Sequence, residues 1–177
     1  HALADAATVE RFVREARAAA RLRSDHVARV VDVGHLETGA PYMVMEHLDG
    51  SDLSDVLRAR GPLPAEDAIA YVLQACEAIA EAHGAGIIHR DIKPGNLFLT
   101  RRANGAPLVK VLDFGIAKHR DQDEIDITHT GVMLGSPSYM SPEQMRRTKA
   151  VDARGDVWSM GVVLYKLLTG LTPFHGE

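Results

Sequence analysis

One polar segment near the middle of the chain most limits what the sequence can fold into. Residues 89–96 read HRDIKPGN, and a short apolar run lies on either side of them. A polar loop held between two buried strands is where a protein scaffold commonly places catalytic groups. In this loop Asp91 can accept a proton from a hydroxyl nucleophile, and Lys93 can neutralise charge on a transferring phosphoryl group. Asn96 in the loop and Asp113 downstream offer hard oxygen ligands for Mg²⁺, so the segment predicts phosphoryl transfer.

The composition is that of an ordinary soluble domain and excludes several other classes of protein. The 177 residues are 46% hydrophobic and 25% charged, with a formal net charge of -4. This charge gives no reason to expect nucleic acid or an anionic membrane surface as a partner. The single cysteine, Cys76, excludes an internal disulfide framework and a cysteine metal site, and it predicts a reducing, cytoplasmic compartment. Because no apolar run reaches about 18 residues, we expect no membrane contact from this segment.

Hydrophobic periodicity predicts a mixture of helices and short strands. The predicted helices cover about residues 5–23, 53–60, 66–83 and 152–170, and the predicted strands about residues 27–36, 41–48 and 109–112. On the third helix the pattern predicts a buried stripe of Ile69, Val72, Leu73, Cys76, Ile79 and Ala80. Cys76 is therefore predicted to be a small core residue and not a reactive thiol.

Three short motifs follow one another along the chain. HRD at residues 89–91 is followed by Asn96, DFG occupies residues 113–115, and SPE stands at residues 141–143. In this order and spacing they resemble the eukaryotic-like serine/threonine protein kinases, most closely the bacterial ones, whose third motif is usually APE. The resemblance runs through nearly all of the chain.

This resemblance implies an α+β, two-lobed protein-kinase-like fold. Residues 1–48 would form a partial N-lobe of one helix and two strands together with the hinge. Residues 49–177 would form an incomplete, mainly α-helical C-lobe with the catalytic loop at 89–96 and the activation segment at 113–143.

The resemblance also implies the reaction, which is transfer of the ATP γ-phosphoryl group to serine or threonine hydroxyls of protein substrates in signal transduction. By this match Asp91 orients and deprotonates the nucleophile, Lys93 steadies the phosphoryl group, and Asn96 with Asp113 holds Mg²⁺ or, in its place, Mn²⁺. A lysine two residues after the catalytic aspartate fits serine/threonine specificity better than tyrosine specificity. Ser136 takes the place of a threonine that hydrogen-bonds the catalytic aspartate and lysine.

Five further positions match the nucleotide pocket of the family. Met45 matches the gatekeeper, the backbones of Glu46 and Leu48 would hydrogen-bond the adenine edge, Phe98 would form the apolar floor, and Asp52 would contact the ribose. The residues alone leave two alternatives open. Residues that alternate in polarity form a strand whether or not adenine binds beside it, and Asp52 can equally cap the helix that follows.

Regulation is implied at four positions. Glu15 matches the glutamate that pairs with the ATP-positioning lysine, although its spacing alone favours a surface pair with Arg11. Arg90 matches the arginine on which a phosphorylated activation segment docks. Thr128 and Thr130 fall where bacterial members autophosphorylate, in trans if two kinase chains form a dimer.

Five more positions are implied to be structural. His89 would pack in the core, and Phe114 with Gly115 completes the DFG motif, where the glycine suits a segment that must move. Glu143 matches a glutamate whose arginine partner does not occur in this sequence. Asp156 either caps the last helix or, by the resemblance, anchors the backbone of the catalytic loop.

The family's glycine-rich loop and lysine-bearing strand do not occur in these residues, and the chain starts with His. We therefore expect that the chain is a fragment of a parent kinase, and that this fragment alone binds ATP poorly and is inactive. In many bacterial relatives a further segment anchors the kinase to a membrane, and the same can hold for the parent kinase. One alternative is a pseudokinase or a truncated kinase fold that acts as a scaffold, which the intact Asp91, Asn96 and Asp113 oppose. Another alternative is a small-molecule phosphotransferase. Residues 135–143 argue against it, because those enzymes lack an activation segment that ends in SPE.

Overall fold

The computed structural model describes residues 6–114, 137–146 and 152–174. The elements in chain order are α1 (Ala6–Ala19), β1 (Val30–His35), β2 (Pro41–Met45), β3 (Ser51–Asp52), α2 (Leu53–Arg60), α3 (Ala65–Gly84), β4 (Leu97–Arg101), β5 (Pro107–Val111), α4 (Pro142–Met145) and α5 (Arg154–Thr169). Helices and small antiparallel sheets occur together, which confirms the predicted α+β class. Within the described ranges, no helix is both long enough and apolar enough to cross a membrane.

The first two strands, which the sequence predicted, form an antiparallel pair. Val30 at the start of β1 lies opposite Met45 at the end of β2. A Cβ at Gly34 would lie only 2.7 Å from the Tyr42 hydroxyl oxygen, so this glycine leaves room for the tyrosine ring on the neighbouring strand. The Tyr42 hydroxyl donates to Asp32 Oδ2 at 3.0 Å, which adds a cross-strand contact on the same sheet.

The segment between α1 and β1 pairs with β5 in a short parallel contact. Val27 lies opposite Val111 in an isolated bridge. The Ala28 N–H donates to the Val111 carbonyl at 3.0 Å, and the Val111 N–H donates to the His26 carbonyl at 2.8 Å. Because these residues pair with β5, β1 begins later than the sequence predicted. The contact also joins the α1–β2 part of the chain to the part that carries the catalytic loop.

A second sheet has the order β3-β4-β5, all antiparallel. The sequence predicted β5 as a strand at about residues 109–112, but it did not predict β3, because alternation cannot be recognised in a strand of two residues. The chain enters β3 through Gly50, whose φ is 148°. A Cβ at this position would come within 2.1 Å of the Leu99 carbonyl oxygen, so only glycine permits the approach to β4. Asp52 and Phe98 are thereby placed as cross-strand neighbours.

The buried face of α3 differs from the predicted stripe. Ile69 and Leu73 are 48% and 59% exposed, and Cys76 and Ala80 are exposed as well, so all four were wrongly predicted as core residues. The buried residues of this helix are Ala68, Tyr71, Val72, Ala75, Ala78, Ile79 and Ala82. Four of the seven are alanines, and small side chains let α3 approach α5 and β5 closely. The larger apolar residues therefore lie beside the contact face and not in it.

Candidate active site

The catalytic loop is held from below by one carboxylate of α5. Asp156, which is 1% exposed, accepts hydrogen bonds from the backbone N–H groups of His89 and Arg90, both at 2.8 Å. Its Oδ2 also lies 2.7 Å from His83 Nε2 at the end of α3. Arg90 has a φ of 64°, a conformation that residues other than glycine rarely adopt. The Asp156 carboxylate stabilises this backbone. It does not cap α5, because the N-cap position belongs to Ala153, which makes no side-chain cap hydrogen bond.

His89 lies in the core beneath the loop, where the resemblance placed it. Its Nε2 lies 2.9 Å from the Leu112 carbonyl, and its Nδ1 lies 3.2 Å from the Asp91 backbone nitrogen. Burial lowers the pKa of His89, since the charged imidazolium is poorly solvated there. A neutral ring satisfies both contacts, because Nε2–H donates to Leu112 while Nδ1 accepts from Asp91. The Phe114 ring lies against it at a centroid distance of 5.0 Å.

Two polar side chains of the loop, those of Lys93 and Asn96, contact the Asp91 carboxylate. Lys93 Nζ donates to Asp91 Oδ2 at 3.0 Å. Asn96 Nδ2 lies 3.3 Å from the same oxygen and donates to the Asp91 carbonyl at 2.8 Å. The Asp91 and Lys93 side chains are 17% and 30% exposed, so a substrate can reach them while the loop still holds their orientation. A carboxylate fixed in this way beside an ammonium group can take a proton next to a developing negative charge.

The backbone brings Asp113 beside the loop. The Leu112 N–H donates to the Asn96 carbonyl at 2.9 Å, and Asp113 follows directly with a φ of 51°. Since Asn96 Nδ2 donates to Asp91, its Oδ1 is the atom left for a cation. No group of three or more His, Cys, Asp or Glu residues that could hold a metal occurs in the described ranges. One carboxylate and one amide oxygen fit Mg²⁺, which is usually held by few protein ligands, waters and substrate phosphates.

The residues predicted to surround a nucleotide lie on β2, β3, β4 and the hinge between them. Met45 ends β2, and the N–H of Glu46 donates to the Arg29 carbonyl at 2.9 Å. Asp52 Oδ1 accepts from the N–H groups at the start of α2, from Ser54 at 2.8 Å and from Asp55 at 2.9 Å. The capping alternative for Asp52 is therefore realised in the structure. Phe98 and Leu48 are half-buried.

The Glu46 side chain ties the hinge to β5. Its Oε1 accepts from Lys110 Nζ at 2.7 Å and from the Arg29 N–H at 2.7 Å. Partial burial opposes ionisation of Glu46, but the Lys110 ammonium group and the Arg29 N–H outweigh this effect and lower its pKa. Lys110 Nζ also lies 3.3 Å from the Val27 carbonyl. This ion pair therefore connects three segments near the residues that were predicted to contact a nucleotide.

A cleft of about 480 Å³ separates α1 from the catalytic loop. Its lining contains three arginines, Arg11 and Arg14 from α1 and Arg90 from the loop. Half-buried Glu15 lines the same cleft, and Phe114 closes it on the side of the loop. The cleft carries a positive charge that suits an anionic group such as a phosphate.

The segment with the SPE motif begins a short helix that contacts the loop. Ser141 Oγ accepts from the Gln144 N–H, and Gln144 Oε1 accepts from the Ser141 N–H, which completes a capping box at the start of α4. Gln144 Nε2 then donates to the Arg90 carbonyl at 3.0 Å. Glu143 is exposed in this turn, where its own backbone N–H and the Ser141 hydroxyl lower its pKa.

Comparison with known proteins identifies the family. A model for the protein kinase domain matches residues 2–177. The chain belongs to the protein kinase family. Serine/threonine-protein kinase pkn3 of Myxococcus xanthus is 45% identical over 177 residues, which are 99% of this chain and 32% of that protein. Serine/threonine-protein kinase PknB of Mycobacterium leprae is 46% identical over 170 residues, which are 94% of this chain and 26% of that protein. This kinase segment thus spans less than two thirds of both relatives.

Solved structures with the kinase fold resemble the chain over most of its length. The structure of Rad53 1–466 in complex with AMP-PNP matches with a TM-score of 0.75 at 30% identity. The matched region covers 95% of this chain and 40% of the Rad53 chain. The structure of a double mutant of the Mycobacterium tuberculosis PknI kinase domain matches with a TM-score of 0.74 at 30% identity. The matched region covers 97% of this chain and 60% of the PknI chain. These similarities confirm the predicted kinase fold.

Four predicted residues of the kinase site, Gly115, Thr128, Thr130 and Ser136, lie outside the residues that the structure describes. The sequence reasoning in turn missed His83, Gln144 and Lys110. Gln144 carried a readable signal, because S-x-x-Q at residues 141–144 is a capping box pattern. His83 and Lys110 carried none, since their partners Asp156 and Glu46 are distant in sequence.

Proposed function

We propose that the whole protein that carries this segment is a serine/threonine protein kinase. The observation that supports this most directly is the arrangement at Asp91, where Lys93 Nζ and Asn96 Nδ2 hold one carboxylate oxygen at 3.0 and 3.3 Å. The named relatives are serine/threonine-protein kinases, which favours an enzyme over a scaffold. The expected substrates are proteins with exposed serine or threonine hydroxyls.

In the proposed reaction the substrate hydroxyl lies beside Asp91. The hydroxyl oxygen forms a bond to the γ-phosphorus of ATP, the bond from that phosphorus to the bridging oxygen of ADP breaks, and the hydroxyl proton passes to the Asp91 carboxylate. The Lys93 ammonium group would stabilise charge on the phosphoryl oxygens. Asn96 Oδ1 and the Asp113 carboxylate would hold Mg²⁺ or Mn²⁺, which when bound neutralises charge on the ATP phosphates.

We propose that ATP lies between the hinge and β4. The Glu46 N–H is used by Arg29, so the Glu46 carbonyl and the Leu48 backbone are the groups offered to the adenine edge. Met45 would border the adenine, and Phe98 would lie beneath it. The Asp52 oxygen that does not cap α2 would accept a hydrogen bond from the ribose.

Activation by phosphorylation of the segment after Asp113 is part of this proposal. A phosphate on Thr128 or Thr130 adds about two negative charges. The cleft with Arg90 and the two arginines of α1 is a suitable acceptor for such a group. We further propose autophosphorylation in trans within a kinase dimer and a cytoplasmic location for this segment.

The test uses the full-length native protein incubated with Mg²⁺, labelled ATP and a protein substrate. Asp91→Asn removes the proton acceptor and is expected to reduce labelling at least about a hundredfold. Asp49→Asn, at a side chain that is 100% exposed, is the matched control and is expected to label like wild type. A folded wild-type protein that neither labels its substrate nor binds ATP would exclude the kinase and support the scaffold.

A further inference from the structure

The peptide groups on the two sides of Arg90 are held by side chains from two different helices. The Arg90 N–H donates to Asp156 Oδ1 of α5 at 2.8 Å, and the Arg90 carbonyl accepts from Gln144 Nε2 of α4 at 3.0 Å. Because a peptide group is planar, holding both groups fixes the two backbone torsions of Arg90 between them. Its φ of 64° is a conformation that persists in a residue other than glycine only when the surrounding structure holds it.

The peptide group that Gln144 holds also carries the backbone of Asp91. The Asp91 N–H, at the other end of this group, lies 3.2 Å from His89 Nδ1. Gln144 therefore holds the carbonyl end and His89 the N–H end. A rotation of the group would turn the Cα–Cβ bond of Asp91 and move the carboxylate away from Lys93 and Asn96, which contact it at 3.0 and 3.3 Å.

The Gln144 side chain is itself oriented by the turn that begins α4. Its Oε1 accepts the Ser141 N–H at 3.0 Å, and the Gln144 N–H donates to Ser141 Oγ at 3.3 Å. An N–H group needs the amide oxygen as its partner, whereas a carbonyl group needs the amide nitrogen. The partners at both ends therefore define one orientation of the amide, in which the nitrogen faces the Arg90 carbonyl.

Helix α5 supports both partners of this contact. Ser159 Oγ donates to the Tyr139 carbonyl at 2.7 Å, which holds the short turn Pro137–Tyr139 just before Ser141. Asp156, which holds the Arg90 N–H, lies three residues before Ser159 on the same helix. The catalytic loop and residues 137–145 thus share one base, and Gln144 joins them directly.

We propose that Gln144 is a positioning residue of the kinase, which fixes the Arg90 carbonyl and thereby orients the Asp91 carboxylate toward the substrate hydroxyl. Since Gln144 follows the end of the predicted activation segment at 113–143, a displacement of α4 removes this hydrogen bond from the loop. The position of that segment and the shape of the loop are therefore coupled. The catalytic part of this inference rests on the proposed function, whereas the effect on the loop backbone does not.

The decisive variant is Gln144→Glu, because it separates the contact with Arg90 from the capping box. A glutamate at this position keeps an acceptor for the Ser141 N–H, and a capping box accepts Glu as well as Gln. It lacks the Nε2 donor, and it places a carboxylate oxygen against the Arg90 carbonyl oxygen. Gln144→Ala removes both contacts together. Arg146→Ala, at the exposed C-cap residue of the same helix, is the matched control.

Steady-state kinetics, urea unfolding and amide hydrogen exchange of residues 89–96 are measured on each full-length protein. In Gln144→Glu we expect kcat to fall about tenfold, the factor expected when a part-buried carbonyl loses its hydrogen bond. Exchange in the loop should rise about tenfold, while the KM for ATP and the urea midpoint should equal those of Arg146→Ala. Gln144→Ala should lose kcat to a similar extent and should also unfold at a lower urea concentration, because its cap is lost.

Each other outcome overturns a defined part of the inference. If kcat and loop exchange in Gln144→Glu equal those in Arg146→Ala, Gln144 is only a cap and the inference is wrong. If kcat per folded molecule is unchanged and only the urea midpoint falls, Gln144 contributes stability alone. If the KM for ATP rises while kcat stays constant, Gln144 acts on the nucleotide site and not on Asp91. If wild type has no kinase activity but loop exchange rises in Gln144→Glu, the effect on the loop stands and the proposed function fails.

Discussion

Replacing Asp156 with alanine tests whether the carboxylate of α5 determines the shape of the catalytic loop. The side chain is 1% exposed and accepts two backbone N–H groups at 2.8 Å, with His83 Nε2 at 2.7 Å. Leaving a buried donor unsatisfied costs about 1–3 kcal/mol. Removing one partner of a buried, hydrogen-bonded pair, here Asp156 beside His83, typically costs about 3–5 kcal/mol. We therefore expect Asp156→Ala to lower the free energy of unfolding by about 3–5 kcal/mol.

The same change should also affect catalysis in the molecules that remain folded. Without the carboxylate, the Arg90 N–H loses the acceptor that it has at 2.8 Å, and the φ of 64° loses the contact that stabilises it. A shift of about 1 Å in a catalytic group can cost about a hundredfold in rate. Asp156→Asn keeps one carbonyl acceptor, so we expect it to lie between wild type and alanine in both stability and kcat.

Urea unfolding of the full-length protein, followed by amide hydrogen exchange of α5, measures the stability term. Initial rates at saturating ATP measure kcat. Asp152→Ala, at an exposed residue just before α5, is the control and should resemble wild type. If Asp156→Ala unfolds at the same urea concentration as Asp152→Ala and keeps its kcat, the carboxylate does not determine the loop and our reasoning is wrong.

Two further predictions concern titratable side chains that are buried or half-buried. Burial lowers the pKa of His89, so below about pH 6.5 the imidazole is protonated in the unfolded chain and stays neutral in the folded chain. The free energy of unfolding should therefore fall as pH drops below about 6.5. This slope should be smaller in His89→Asn than in the exposed control His47→Asn, and equal slopes would contradict it. For the pair of Glu46 and Lys110, a double-mutant cycle with Glu46→Gln and Lys110→Met should give a coupling of about 1 kcal/mol at neutral pH. The pKa of Glu46 is lowered, so this coupling should disappear as pH falls through the range where the carboxylate is protonated, and a pH-independent coupling would argue against the ion pair.

The sequence predicted features that depend on residues close together in the chain. The span of α2 was correct because Asp52 supplies a local cap and Gly61 ends the helix. The loop at residues 89–96 was recognised because its polar groups lie within one short segment. The structure indeed brings Asp91, Lys93 and Asn96 together.

Features that depend on tertiary packing were missed. The alanine face of α3 gave a weak hydrophobic signal, so the larger Ile69 and Leu73 beside it were wrongly placed in the core. The partners of His83 and Lys110 lie more than fifty residues away, and no local pattern specifies such a contact. Propensity and periodicity describe which face of an element is apolar, and the neighbour that covers it is decided by the whole fold.

The anchor at Asp156 also has a consequence for protein synthesis. Asp156 lies 67 residues after His89, whose N–H it accepts. While the chain is being made, the catalytic loop leaves the ribosome well before the helix that holds it. A nascent chain that ends before α5 therefore contains every residue of the loop and still lacks the contact that gives the loop its shape. The loop at residues 89–96 can therefore gain this contact only after translation has passed α5.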